Sequence, residues 1–352
     1  MWITSSLSTA LTPTAIALGN FDGVHRGHQA VISRVVPNPD GATRSPGWGS
    51  GPPLRGFSYR SEPTLDQPLL PSLARGGGTL VPTVMTFAPH PQEFFSGQAL
   101  PLLTPLAEKA TQISHLGIEQ LVLLPFNQAL ADLSPADFVE DLLVRQLRVQ
   151  RISVGQDFCF GKNRQGTAAD LKALGETVGV EVEIVPLSHR GGDRISSSRI
   201  RTALRQGDLS TATALLGRAY SLRGRVVSGQ RLGRQLGFPT ANLDLPADKF
   251  LPAYGVYSVW VEGLPGVIAS PLAGVMNLGN RPTVGGGSPR AEVHLLGWQG
   301  GDLYGHTLQV SLQSYLRPEQ TFSCLEALRQ QIQVDCQLAQ TDLARATVGS
   351  GG

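Results

Sequence analysis

The segment from Thr14 to His28, TAIALGNFDGVHRGH, constrains the fold of this chain more than any other stretch. It begins with an apolar run of a length that suits a buried strand. The run breaks at Gly19, the turn signal Asp22-Gly23 follows, and a helical pattern starts near Gln29. A buried strand that leads through a glycine-rich turn into a helix is typical of an anion-binding site. Backbone N–H groups and the positive end of the helix dipole both face such a turn.

Two histidines lie at the mouth of this turn. His25 and His28 can donate hydrogen bonds to phosphate oxygens, and Gly27 between them lets the backbone approach a ligand closely. A zinc half-site and a pair of surface histidines are the alternatives. Zinc would need two further ligands, and the three cysteines are too scattered in the sequence to supply them. The Gly-Asn-Phe-Asp-Gly context therefore favours phosphate binding.

The bulk properties of the chain narrow the classes of protein that it can belong to. Its 352 residues suffice for two domains, each with its own core. A formal net charge of +2 argues against a nucleic-acid-binding surface, and three irregularly spaced cysteines form no disulfide framework. No basic, apolar leader is evident, and no apolar run approaches a membrane span. We expect a cytoplasmic protein that binds neither nucleic acid nor membrane and is a monomer or a weak homo-oligomer.

The first half of the chain alternates strand-like and helical patterns. Residues 37–78 are an exception, because they are rich in Pro, Gly and Ser without a sustained period, which predicts a flexible insertion. Ser134 and Pro135 start one helix in the preferred way, as N-cap and first helical residue. Alternation with short connections predicts a parallel, doubly wound, Rossmann-like α/β sheet. The expected strands are 15–18, 81–87, 120–125, 151–154 and 180–187, and a further helix is expected at 105–116.

The pattern changes after residue 218 to short strands separated by Gly and Pro turns. These strands are expected at 220–227, 255–261, 272–278, 291–298 and 307–312, with a helix only from 323 to about 343. Such a run predicts a small antiparallel β-barrel with a C-terminal helix. The predicted division is a first domain at 1–186, a helical linker at 187–218 that completes it, and a second domain at 219–352.

Two segments of the second half carry candidate chemistry. Thr240 and Asn242, in the sequence GFPTAN, are hard oxygen donors suited to Mg²⁺ held together with substrate phosphates. The segment is not a Walker A loop, because the Gly-Lys-Ser/Thr ending is missing. In AEVHL, Glu292 and His294 alternate with apolar residues, so Glu292 is a candidate general base projecting from a strand. An ordinary surface glutamate is the alternative that the pattern alone favours.

Several of these motifs together resemble those of one family, the prokaryotic bifunctional riboflavin kinase/FAD synthetases. GNFDGVHRGH is similar to the signature of its nucleotidylyltransferase half, and TFAPHP, ISSSRIR and GFPTAN match further elements in family order. The resemblance implies that the barrel phosphorylates riboflavin to FMN with ATP and Mg²⁺. The first domain would then adenylylate FMN with a second ATP, which gives FAD and pyrophosphate.

The resemblance also implies roles for individual residues. In the transferase half, His25 and His28 would be catalytic, and the ATP phosphates would be bound by Gly19, Asn20, Phe21, Asp22, Gly27, Ser197, Ser198 and Arg201. Flavin and nucleotide would contact His90, Asn127, Asp157, Phe158 and Arg164. In the kinase half, Glu292 would be the base, Thr240 and Asn242 the Mg²⁺ ligands, Gly229, Gly233, Gly237 and Pro239 the ATP-binding residues, and Arg317 a flavin contact.

Some of these residues have plainer interpretations. His90 could be an ordinary residue of a proline-rich turn, the serines near 197 could simply cap a helix, and the glycines could be turn residues. Cys159 stands where the family often has arginine. Two alternative functions therefore remain at this point: a nucleotidylyltransferase whose barrel is a non-catalytic binding module, and a riboflavin kinase whose transferase half is inactive.

Overall fold

The computed structural model describes residues 1–37, 80–229, 233, 236–263, 271–280 and 289–348. The predicted insertion at 37–78 lies outside these ranges except for its first residue. The chain divides into two compact units, and among the described residues the division falls between Ser197 and Ser198. No helix in the described part of the chain has the length and apolar character needed to cross a membrane.

The first unit is built on a six-stranded parallel sheet of order β1-β4-β3-β2-β5-β8. Its strands are β1 (Trp2–Thr4), β2 (Thr14–Leu18), β3 (Val81–Ala88), β4 (Gln120–Pro125), β5 (Val149–Gly155) and β8 (Glu181–Val185). Its helices are α1 (Arg26–Ser33), α2 (Pro91–Ser96), α3 (Leu106–His115), α4 (Gln128–Ala131), α5 (Pro135–Asp137), a π-helical stretch Phe138–Gln146, and α6 (Ala168–Thr177). Two short hairpins complete it, β6 (Cys159–Phe160) with β7 (Gly166–Thr167), and β9 (His189–Arg190) with β10 (Asp193–Arg194). The predicted Rossmann-like architecture is confirmed.

The central strand β2 is buried along its whole length, because both faces of the sheet are covered there. Ile16 and Leu18 belong to one buried cluster, whereas Ala15 and Ala17 belong to the cluster on the other face. The chain continues from β2 to β3 on one side and later places β5 on the other side. In a sheet of this kind, ligands bind at the carboxyl ends of the strands where the order reverses, which is next to β2 and β5.

The second unit begins with α7 (Ser197–Arg205), cut by the division after its first residue, and α8 (Leu209–Leu216), and continues into a closed antiparallel barrel. The barrel order is β11-β12-β15-β14-β13-β16. Its strands are β11 (Ser221–Val227), β12 (Ala241–Asp244), β13 (Gly255–Glu262), β14 (Leu272–Asn280), β15 (Pro289–Leu295) and β16 (Thr307–Arg317), and α9 (Leu325–Val348) follows. The predicted barrel and terminal helix are confirmed. The predictions missed β12, extended β15 too far and ended β16 too early.

Candidate active sites

The turn after β2 is held in place by two neighbouring elements. The backbone carbonyl of Asn20 accepts a hydrogen bond from Thr86 Oγ1 on β3, at 3.0 Å, and another from Lys109 Nζ on α3, at 2.9 Å. Phe21 takes a positive φ of 49°, and its ring lies against Gly19, where an added Cβ would come within 3.1 Å of Phe21 Cζ. Gly19 therefore has to be small so that the phenyl ring can fold over the turn.

Asp22 ties the turn to the segment before α3 and to the end of the unit. Its buried carboxylate accepts a hydrogen bond from Thr104 N at 3.2 Å, while Gly23 N donates to Thr104 Oγ1 at 2.9 Å. Ser197 Oγ donates to the backbone carbonyl of Asp22 at 2.8 Å. The structure thus brings together two of the predicted ATP-binding residues, Asp22 and Ser197, although they are far apart in the sequence.

His25 is the N-cap of α1, and this contact determines which ring nitrogen can donate. Its Nδ1 accepts a hydrogen bond from His28 N at 3.2 Å, so the proton of the neutral ring resides on Nε2. The two imidazoles stack with centroids 3.5 Å apart, and a Cβ at Gly27 would lie 3.2 Å from His25 Cε1. His25, Gly27 and His28 therefore form one packed unit at the start of the helix, with a hydrogen-bond donor at Nε2 of His25.

Cationic side chains surround this turn. Burial and repulsion from Arg190 both lower the pKa of Arg26, the first residue of α1. Arg194 forms an ion pair with Asp157, which follows β5. Both Arg190 and Arg194 come from the β9–β10 hairpin, and neither was among the predicted site residues. Positive charge at this edge of the sheet suits a ligand with several phosphates.

Two further predicted residues follow strands β3 and β4 at their carboxyl ends. His90 caps α2, its Nδ1 accepting from Gln92 N at 3.1 Å. Asn127 caps α4, and its Oδ1 accepts from Leu130 N at 2.9 Å. The interpretation of His90 as an ordinary turn residue fits this capping contact as well as a ligand-binding role does. A ligand would be contacted through Nε2 of His90 and Nδ2 of Asn127.

The loop after β5 contains the remaining residues predicted for the flavin and the nucleotide. Phe158 stacks on the buried ring of Phe160 with centroids 5.9 Å apart. Cys159 Sγ donates to the carbonyl of Asp157 at 3.7 Å. Arg164 is exposed and has a positive φ of 60°. Cys159 carries no positive charge, unlike the arginine that the family often has at this position. Arg194 places a positive charge beside Asp157 instead.

The other two residues of the predicted phosphate clamp lie on α7, in the second unit. There the Arg201 guanidinium is 5.7 Å from the centroid of the Phe250 ring. Ser198 belongs to the first turn of the same helix. Their contribution to phosphate binding stays a prediction.

The barrel site is assembled by strand register. Asn242 on β12 pairs with Glu292 on β15, and Glu292 pairs with Asn277 on β14. Residues directly opposite on neighbouring strands project to the same face, so these three polar side chains lie side by side. The flanking residues of β15, Ala291 and Val293, are completely buried inside the barrel. Glu292 therefore projects from the outer face of the barrel, as the alternation predicted.

Asn242 has the environment expected of a metal ligand. Its Oδ1 is buried, and within the described ranges no donor lies within hydrogen-bonding distance of that atom. A Cβ at Gly229 would lie 2.3 Å from Asn242 Nδ2, and one at Gly233 would lie 2.4 Å from the carbonyl of Phe238. At both positions only glycine leaves room for the GFPTAN segment. Gly237 has a φ of 87°, which favours glycine for a different reason.

Glu292 and the GFPTAN segment are linked through β15. Arg290 Nε lies 3.0 Å from Glu292 Oε1, with 30% and 27% of the two side chains exposed. His294 Nδ1 lies 2.8 Å from the carbonyl of Pro239, and because a carbonyl can only accept, Nδ1 carries the proton. The His294 ring also packs against the Phe238 ring in an edge-to-face arrangement, with ring centroids 5.5 Å apart. His294 thus fixes the residue that precedes Thr240.

Arg317 has a different setting from the one expected of a flavin ligand. Its guanidinium forms a two-pronged ion pair with Asp335 of α9, through Nε to Oδ1 at 2.9 Å and Nη2 to Oδ2 at 2.8 Å. Only 15% of the Arg317 side chain and 3% of that of Asp335 are exposed. This pair anchors the terminal helix to the barrel. A flavin contact by Arg317 stays a prediction beside that structural role.

Comparison with known proteins assigns each half of the chain. The family model described as FAD synthetase matches residues 7–43 and 74–199, and the one described as riboflavin kinase matches residues 216–343. The bifunctional riboflavin kinase/FMN adenylyltransferase of Escherichia coli K12 is 37% identical, covering 91% of this chain and 90% of its own. Relatives with the same description from Pseudomonas fluorescens and Bacillus subtilis are 38% and 33% identical, over 92% and 93% of this chain and 91% of each relative. The chain belongs to the bifunctional riboflavin kinase/FMN adenylyltransferase family.

A solved structure supports the arrangement of elements along the chain. It comes from Streptococcus pneumoniae, is described as a macrolide-efflux protein, and has a TM-score of 0.75 at 28% identity. It covers 96% of this chain and 98% of that one. The predicted family is thus confirmed. No group of three or more His, Cys, Asp or Glu side chains that could hold a metal ion occurs in the described ranges, so the zinc alternative for His25 and His28 has no support there.

Three residues that contact the candidate sites lie outside the sequence motifs. Lys109 and Arg194 contact the transferase residues Asn20 and Asp157, and Arg290 contacts Glu292 in the barrel. Arg290 carried a weak signal, since it shares the face of its strand with Glu292. Lys109 carried none, because its contact spans 89 positions in the sequence.

Proposed function

We propose that this chain phosphorylates riboflavin to FMN and then adenylylates FMN to FAD, using one ATP for each step. The observation that carries the proposal is that one family model, riboflavin kinase, matches the barrel while the other, FAD synthetase, matches the α/β unit. The efflux function in the description of the S. pneumoniae structure is not carried over, because both halves of this chain match enzyme families.

In the kinase reaction, Glu292 accepts the proton of the riboflavin 5′-hydroxyl while the hydroxyl oxygen attacks the γ-phosphorus of ATP, and the bond from that phosphorus to the oxygen bridging it to the β-phosphorus breaks to release ADP. Arg290 orients the carboxylate. Thr240 Oγ1 and Asn242 Oδ1 would hold Mg²⁺, because both are neutral oxygen ligands. Asn242 Oδ1 is also buried, and no hydrogen-bond donor reaches it within the described ranges. The ion would neutralise charge on the phosphates. Gly229 and Gly233 have no side chain that would clash with this segment, which would leave room for ATP beside the pair.

In the adenylylation reaction, a phosphate oxygen of FMN attacks the α-phosphorus of ATP, and the bond from that phosphorus to the bridging oxygen breaks to release pyrophosphate. No bond to the protein forms. Nε2–H of His25, with His28, Ser197, Ser198 and Arg201, stabilises charge on the phosphates, and the helix α1 N-terminus adds its dipole. Arg26 and Arg190 contribute further positive charge.

A chromatographic time course tests both activities. With riboflavin and MgATP we expect FMN to appear first and then convert to FAD, and with FMN as the starting flavin we expect FAD directly. His28→Ala should stop the reaction at FMN. Accumulation of FMN without FAD from either start would mean that the transferase half is inactive. Unchanged riboflavin together with FMN converted to FAD would make the barrel a binding module.

Other aspects of the proposal rest on the sequence. We place the transferase at 1–186, completed by helices in 187–218, and the kinase at 219–352. We also infer Mg²⁺ as the cofactor, a cytoplasmic location, and a monomer or weak homo-oligomer that binds neither nucleic acid nor membrane.

A further inference from the structure

Lys109 is a buried lysine that none of the predicted motifs contains. It lies on α3, and 7% of its surface is exposed. Its ammonium donates to the carbonyl of Asn20 at 2.9 Å, in the turn between β2 and α1. Lysine is almost never buried to this degree without a specific partner, because removing an ammonium from water is costly. The position of this charge therefore calls for a function.

The hydrogen bond alone does not account for Lys109. The same Asn20 carbonyl also accepts from Thr86 Oγ1 at 3.0 Å, so it would keep a donor if the lysine were absent. A neutral side chain could have filled the space on α3 at lower cost. Lys109 adds a buried positive charge against the backbone of the turn, where water screens it poorly.

One neighbouring carboxylate acts against the effect of burial on this amine. Burial lowers the pKa of Lys109, whereas the carboxylate of Asp22, in the same turn, raises it. Asp22 is itself held by Thr104 N, so its position is fixed. The lysine, the aspartate and the carbonyl of Asn20 form one buried polar group under the residues that the family motif assigns to ATP.

We propose that Lys109 is a positioning residue of the adenylyltransferase site, whose fixed charge supports binding of the ATP phosphates at the turn 19–23. This inference rests on the proposed function. Because the amine contacts the backbone of the turn, it acts through the turn. The ammonium strengthens the attraction for polyphosphate. The hydrogen bond that it donates also keeps the Asn20 carbonyl directed away from the phosphates. Binding of FMN, which carries a single phosphate, depends less on the charge of Lys109.

The test compares three substitutions at this position. Lys109→Met removes the charge and the donor, Lys109→Gln removes the charge and keeps a donor, and Lys109→Arg keeps both. KM for ATP, KM for FMN and kcat of adenylylation are measured for each, together with the dissociation constant of ATP by calorimetry. Riboflavin phosphorylation by the same molecules is the internal control, because the kinase uses the other unit.

We expect Lys109→Met and Lys109→Gln to raise KM for ATP and its dissociation constant about tenfold, with KM for FMN changed less than threefold. Lys109→Arg should stay within about threefold of the natural chain. Phosphorylation of riboflavin should not change in any of the three.

Two results would overturn the proposal: natural ATP affinity in Lys109→Gln, or a loss in Lys109→Arg equal to that in Lys109→Met. Circular dichroism melts identify a variant that fails to fold, and Lys109→Gln then decides the question because it keeps a hydrogen-bond donor on a neutral side chain. If the unsubstituted chain made no FAD at all, the proposed function would fail instead, and calorimetry of ATP binding would still test Lys109.

Discussion

The hydrogen bond between His294 and Pro239 gives a sharp test of how the barrel site is assembled. His294 lies on the same strand as Glu292, and its Nδ1 reaches the carbonyl of Pro239 at 2.8 Å. Thr240 follows directly, so this contact fixes a proposed Mg²⁺ ligand relative to the proposed base. We predict that His294→Leu impairs riboflavin phosphorylation without altering adenylylation of FMN.

The expected magnitude follows from the two contacts that leucine cannot make. A typical intramolecular hydrogen bond contributes about 1 kcal/mol net. The edge contact with Phe238, at 5.5 Å between ring centroids, adds about 0.5 kcal/mol. If both contacts serve to position the segment, their loss of about 1.5 kcal/mol corresponds to roughly a tenfold fall in kcat/KM.

Asparagine provides the matched control at this position. Its side-chain nitrogen, like Nδ1 of histidine, is bonded to Cγ, so His294→Asn can still donate to Pro239. We expect His294→Asn to lose about threefold or less, since only the ring contact is missing. The assay is the rate of FMN formation at several concentrations of riboflavin and MgATP, with FAD formation from FMN measured in parallel.

Two outcomes would refute this reasoning. If His294→Leu phosphorylated riboflavin at the natural rate, the contact with Pro239 would have no part in positioning Thr240. If His294→Asn lost as much as His294→Leu, the ring itself would matter and not the donated hydrogen bond. A titration of MgADP binding by calorimetry separates weak nucleotide binding from a slow chemical step.

Three further predictions follow from the second unit. Gly229→Ala should abolish most kinase activity, because the added Cβ would lie 2.3 Å from Asn242 Nδ2, whereas Gly301→Ala, which meets nothing within 4 Å, should phosphorylate riboflavin normally. Arg317→Met should destabilise the barrel unit by about 3 kcal/mol in a denaturant titration, since it leaves the buried Asp335 carboxylate without its cation, and an unchanged midpoint would contradict this. Burial and the nearby Asp335 raise the pKa of Cys336 to about 11, so at pH 8 a thiol reagent should modify the exposed Cys324 and leave Cys336 unreacted until the pH rises through that value or the chain unfolds. Mass spectrometry of the labelled peptides measures this, and equal labelling of both cysteines in the folded chain would be the contrary result.

The fold was largely predictable because its elements leave local patterns. Strand β4 was predicted with its observed bounds, since its apolar run 121–124 lies between Gln120 and Pro125. Strand β12 was missed because its four residues follow Gly, Phe, Pro and Thr, and a strand that short shows no usable alternation. Strand β1 was missed for the same reason, being three residues long at the N-terminus.

The candidate transferase site likewise has a part that leaves a local sequence pattern and a part that does not. The transferase turn is a contiguous segment, so its residues could be recognised as a motif and its geometry is largely set by local backbone and capping contacts such as His28 N to His25 Nδ1. The groups that stabilise this turn come from elsewhere. Lys109 and Ser197 are 89 and 175 positions away from the carbonyls that they contact, and no local pattern reports such a pairing.

The barrel site shows why register carries information that a motif lacks. Asn242, Asn277 and Glu292 belong to three strands, and their alignment depends on how those strands pair. A slip of one residue in β15 would turn Glu292 into the barrel and Val293 outward. The burial of Ala291, Val293 and Leu295 disfavours that slip, because the slip would place the Glu292 carboxylate among apolar side chains. The apolar core of the barrel thus fixes the position of the proposed base beside the proposed metal ligand.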